Sequence, residues 1–167
     1  MSIKFNADEI YEIAERIEIN GEKFYTRAAE LTKDSESRKL LELLANMEKK
    51  HRQIFADMHA KAVQQNETPV VDPNFDRDNL TALYLNAIAD GHIFNTKEDP
   101  SKNFTGKETM EDILQTAMTV EKDSVAFYLG MKEMVPENLG KEEVEQVIKE
   151  EMSHIAYIAQ AMKSIKQ

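Results

Sequence analysis

The residues with the clearest chemical content are two glutamate–histidine pairs at matched spacing. Glu48 and His51 lie three residues apart in NMEKKH, and Glu151 and His154 lie three apart in EEMSH. A residue and its third neighbour share one face of an α-helix. In both places that face is otherwise apolar: Leu41, Leu44, Phe55 and Met58 frame the first pair, and Val144, Val147 and Ile158 frame the second. Charged side chains on such a stripe are costly unless something pairs with them. Two more acids occupy inward stripes: Glu18, in register with Ala14, Gly21 and Tyr25, and Glu121, in register with Ala117, Val125 and Tyr128. Four carboxylates aimed at one axis repel, and most would have to protonate. Two divalent cations cancel that charge, and carboxylate plus imidazole donors without sulfur suit iron or manganese, or a mixed pair.

The six residues belong to an internal repeat. Glu18 and Glu121 are 103 residues apart, and so are Glu48 and Glu151, His51 and His154, and Tyr25 and Tyr128. The same shift carries Ile10 onto Ile113, Ala14 onto Ala117, Phe24 onto Phe127 and Leu41 onto Val144 without a gap. Apolar matches alone would show two similar hairpins. Matching polar positions on the buried stripes show that the two hairpins carry the same chemistry.

Four long helices must present these groups. Ile10, Ile13, Ala14, Ile17, Phe24, Ala28 and Leu31 follow a 3.6-residue period, which predicts a helix from after Asn6, with Asn6 and Glu9 as a capping pair, to about Thr32. A second helix is predicted from about 34 or 35 to 63. Pro69 and Pro73 then mark a loop, followed by a short helix over about 80–94 and a second loop. A third long helix is predicted to start near 105 or 107, with Thr105 and Glu108 as its cap, and to end before Pro136. Gly140 separates it from a fourth, over about 141–166. Tight turns within each pair make antiparallel neighbours, and more than forty residues separate the pairs. The expectation is one all-α domain over 1–167: a ferritin-like four-helix bundle with pair one at about 7–63, a crossover at about 64–106 and pair two at about 107–166.

Composition narrows the function. Apolar residues make up 41% and charged residues 31%, the balance of a globular chain. The net charge of -10 and the lack of a basic run exclude nucleic acid and anionic membranes as expected partners. The opening MSIKFNADEIYEI has no apolar leader region, so the expected location is cytoplasmic. The chain has no cysteine, which removes disulfides, thiol chemistry and cysteine-bound iron.

Di-iron and di-manganese bundles draw a Glu from each of two helices and a Glu-x-x-His from each of the other two. On that known rule Glu18 and Glu121 are terminal metal ligands, Glu48 and Glu151 bridge the two ions, and His51 and His154 bind one ion each. The motifs IEINGEKFY, NMEKKH, VEKDSVAFY and EEMSH resemble those of rubrerythrin-type, ferritin-like di-iron proteins, over roughly 8–60 and 108–165. The resemblance implies a carboxylate-bridged di-iron site that reacts with hydrogen peroxide or dioxygen, as a peroxidase or ferroxidase, in a homodimer. Two departures stand out. The family's cysteine-ligated rubredoxin module has no counterpart here, so the electron donor is unidentified. The family's extra carboxylate, one turn after the third-helix ligand, is replaced by Ser124 with Asp123 beside it.

The other polar residues read more simply. Tyr25 and Tyr128 are either core aromatics or hydroxyl partners of the ligand carboxylates. His59 and His92 lack a Glu three residues before them and read as surface or structural groups. Glu150 falls off the stripe and reads as solvated. The expected function is therefore a di-iron redox enzyme. A non-catalytic iron-binding protein and a structural bundle with a vestigial site are the alternatives.

Overall fold

The structure, a computed structural model, describes residues 7–66, 80–89 and 99–165. Its elements are α1 (Ala7–Leu31), α2 (Ser35–Gln65), a short α3 (Leu80–Ala89), a 3₁₀ turn (Pro100–Asn103), α4 (Met110–Met134), a second 3₁₀ turn (Glu137–Leu139) and α5 (Lys141–Ile165). Among the described residues there is no strand, and no helix is long and apolar enough to cross a membrane. Asn6, residues 90–94 of the predicted short helix, His92 and most of the first loop lie outside the described residues.

Each boundary has a local cause. The Asp34 carboxylate accepts from Ser37 N at 2.7 Å and starts α2. Asn66, at φ 50, ends that helix by returning its N–H to the carbonyls of Ala62 and Val63. The turn between α1 and α2 is closed by Arg38, whose guanidinium donates to Thr32 O at 2.8 Å.

The start of α4 corrects the sequence reading. The helix begins at Met110, not near 105 or 107, because Thr109 and Asp112 form a reciprocal capping box. Thr105 and Glu108 do pair, but as a turn upstream of the helix. The Glu108 carboxylate accepts from Thr105 N and Oγ1 and from Gly106 N at 2.7–3.0 Å.

α1 packs along α2, and α4 along α5. Buried apolar residues form two clusters at opposite ends of the bundle. One joins Ile10 and Ile17 of α1, Phe55 and Met58 of α2, Phe127 and Met131 of α4, and Val144 and Val147 of α5. The other joins Phe24 and Ala28, Leu41 and Leu44, Ile113 and Ala117, and Ile158. The first end therefore holds the start of α1 and of α5 with the close of α2 and of α4. So α1 runs parallel to α5 and antiparallel to α4. The crossover must then travel the length of the bundle, about 37 Å for a 25-residue helix. Its described parts mark that path. Leu85 of α3 is buried in the first cluster, and Phe104, just past the 3₁₀ turn, packs on the second. Between the clusters, at mid-length, lies a layer of polar side chains.

Candidate metal centre

All four long helices place one carboxylate in that layer. Glu18, Glu48, Glu121 and Glu151 are 0–4% exposed, and His51 and His154 are fully buried. The helical stripes cause this convergence, because each acid lies between apolar residues anchored in the two clusters. The donor atoms form two overlapping groups: Glu18, Glu48, His51 and Glu151 in one, and Glu48, Glu121, Glu151 and His154 in the other, the atoms of each lying within 4.8 Å of one another. Glu48 and Glu151 belong to both. The two imidazole rings stack with centroids 5.5 Å apart.

The imidazoles turn Nδ1 toward the acids. His51 Nδ1 lies 3.0 Å from Glu151 Oε1 and 3.6 Å from Glu18 Oε2. His154 Nδ1 lies 2.9 Å from Glu151 Oε2, 3.3 Å from Glu48 Oε1 and 3.5 Å from Glu121 Oε1. Both tyrosines reach the terminal acids of the other half. Tyr25 of α1 donates to Glu121, and Tyr128 of α4 donates to Glu18. Both rings are also buried in the apolar clusters, so each tyrosine is a core aromatic whose hydroxyl bonds to one of these carboxylates.

Gly21 has a specific purpose here. A Cβ at that position would stand 2.7 Å from Glu48 Oε2, so any side chain there would push the carboxylate from the place it holds. Its repeat counterpart, Ser124, is buried and returns its hydroxyl to Val120 O at 3.1 Å.

Glu150 corrects the sequence reading. It is not a purely solvated residue: its side chain is 35% exposed, and Oε2 lies 3.0 Å from His51 Nε2. A residue one step off the stripe sits at the seam between α5 and α2, where it can meet a ring from the side. The demand of the second imidazole nitrogen for an acceptor is the signal that could have pointed to it. His59 stays outside the cluster, stacked on Tyr11 and 3.2 Å from Glu15 Oε1.

The electrostatics are those of acids crowded together out of water. Burial, and then the charges of Glu48 and Glu151, push Glu18 well above the usual carboxylate range. Burial and Glu151 push Glu121 up to about 8. Burial alone would lower the imidazoles, but hydrogen bonds to Glu151 and Glu18 override it and raise His51 to about 11. Glu121, Glu151 and Glu48 raise His154 in the same way. For Glu151, burial and Glu48 act upward, yet the bonds from the two histidines and Glu121 leave it below the ordinary value. Glu18 Oε2, Glu48 Oε1, Glu151 Oε2 and His154 Nδ1 are buried and lie 2.9–3.6 Å from an oppositely charged neighbour, but none of them is aligned for a hydrogen bond. Orphaned polar atoms in a shared centre cost free energy unless a ligand satisfies them. Oxygen and nitrogen donors in two adjoining sets fit a pair of divalent transition-metal ions.

A family model described as Ferritin-like domain matches residues 7–164. A crystal structure of a candidate ferritin-like diiron-carboxylate protein from Thermotoga maritima aligns with a TM-score of 0.70 at 22% identity, covering 98% of this chain and 98% of that one. That likeness speaks for the fold. No curated protein matches the chain.

Proposed function

Because this chain belongs to the Ferritin-like domain family, we propose that it is a di-iron carboxylate redox protein of the rubrerythrin type, acting on hydrogen peroxide or dioxygen. One observation carries the reading: two buried ligand groups that share Glu48 and Glu151. Glu18 and His51 would hold one ion, Glu121 and His154 the other, and Glu48 and Glu151 would lie between them. Iron bound there supplies the electrons that reduce the oxidant; manganese suits the same donors.

The chain's own residues set the conditions. Tyr25 and Tyr128 fix the rotamers of Glu121 and Glu18 through their hydroxyls. Gly21 leaves Glu48 Oε2 free to lie inward. The apolar layers above and below, including Phe55, Ile17 and Leu44, exclude bulk water and larger reductants. The rubrerythrin resemblance extends the proposal to a cytoplasmic homodimer fed by a separate electron donor.

One observation supports a second reading, ferroxidase or iron-binding behaviour. Ser124 stands where the family's extra carboxylate would be, and its hydroxyl is spent on its own helix. Mixing the ferrous-loaded protein with peroxide or with dioxygen in a stopped-flow instrument separates these. Faster oxidation by peroxide is the expected result. Faster oxidation by dioxygen assigns a ferroxidase, and rates no higher than those of free ferrous iron contradict an enzymatic role.

A further inference from the structure

The duplication is faithful at the six inner positions and broken behind them. In the second half, Glu150 precedes the bridging Glu151, and Gln146 lies one turn earlier. The matching residues of the first half are Met47 and Leu43. This difference changes what the outer nitrogen of each imidazole meets. His51 Nε2 donates to Glu150 Oε2 at 3.0 Å, and the other oxygen of Glu150 accepts from Gln146 Nε2 at 3.0 Å. Glu150 is thus held from two sides. His154 Nε2 is buried and has no hydrogen-bond partner. The repeat assigns the corresponding place to Met47, a thioether that offers no anion.

A carboxylate behind a ligating imidazole fixes the ring's tautomer and orientation and strengthens its other nitrogen as a donor. Removing such a partner typically lowers metal affinity about 10–100-fold. Both rings present Nδ1 to the carboxylates at 2.9–3.0 Å, and what sets them apart on the outer side is the acid that meets His51 Nε2 and is missing at His154 Nε2.

We propose that this chain holds its two cations unequally: the ion at Glu18 and His51 is tightly bound and the ion at Glu121 and His154 is exchangeable, with Glu150 as the positioning residue that sets the difference. The inference rests on the dinuclear reading above. It makes the His154 side the position through which a divalent metal ion enters or leaves, while the His51 side stays filled.

Release kinetics test it without reference to activity. The full-length protein loaded with cobalt(II) is challenged with excess chromogenic chelator, and the released ion is followed by absorbance. The expected course has two phases of one ion each, with rates about 10–100-fold apart. Glu150→Gln should bring the slow phase close to the fast one. Met47→Glu, which restores the acid missing from the first half, should slow the fast phase. A single phase carrying both ions, or either variant leaving its phase unmoved, overturns the inference and leaves the dinuclear site standing. A protein that takes up fewer than two ions overturns both.

Discussion

Gly21 and Glu150 show how much a site depends on residues that hold no ligand atom of their own. Alanine at 21 is the better helix former by roughly 1 kcal/mol. Its Cβ would nevertheless meet the far end of the Glu48 side chain, which can swing aside. Gly21→Ala should therefore leave the metal-stripped protein as stable as the parent or more so, while weakening metal uptake at least tenfold. Thermal melts and a metal titration on one preparation check both halves; a large loss of stability with intact metal uptake would contradict this account. The six inner residues were legible in the sequence because a charged residue on an apolar stripe is conspicuous and the repeat doubled the signal. Glu150 was not, because helical periodicity reports the buried face and not the seam beside it. Gly21 read as an ordinary stripe position, since close approach to another helix leaves no trace in spacing.

At the scale of elements, the two hairpins and their long link followed from periodicity and from Pro69, Pro73, Pro136 and Gly140. The start of α4 did not, because the sequence offers two Thr-x-x-acid patterns four residues apart. Thr105 with Glu108 closes a turn, and Thr109 with Asp112 caps the helix. The two make separable predictions. Thr109→Ala should cost about 1 kcal/mol, a fall in melting temperature of about 2–4 °C for a chain of this size. Glu108→Gln, upstream of the helix, should cost less. An equal or larger loss from Glu108→Gln would place the helix start earlier than the structure does. Gly130 adds a constraint invisible in sequence. A Cβ there would stand 2.8 Å from the side chains of Leu85 and Tyr84, so any larger residue at that position would make these two side chains of the crossover helix shift.

The whole molecule places four buried acids and two buried imidazoles between two apolar clusters, and this arrangement makes stability depend on pH and metal together. Folding raises Glu121 from 4.5 to about 8 and His51 from 6.5 to about 11, and raises Glu18 and His154 as well. A group raised on folding adds stability that is complete below its unfolded value and disappears as pH climbs through its folded value. The metal-stripped protein should thus melt at lower temperature at pH 9 than at pH 6. Metal must displace those protons, so its affinity rises with pH. The stabilisation by bound metal, about 2.7 kcal/mol when free metal is a hundredfold above its dissociation constant, should widen over the same range. Parallel melting curves for the stripped and loaded protein would contradict this coupling. The central claim is that Glu48 and Glu151 stand between two ions, and counting metal per chain tests it most directly. Elemental analysis of the protein reconstituted with ferrous iron should give two ions for the parent chain, and a sharp loss for Glu48→Ala and for Glu151→Ala. One ion or none in the parent, or two ions retained in both variants, would contradict it.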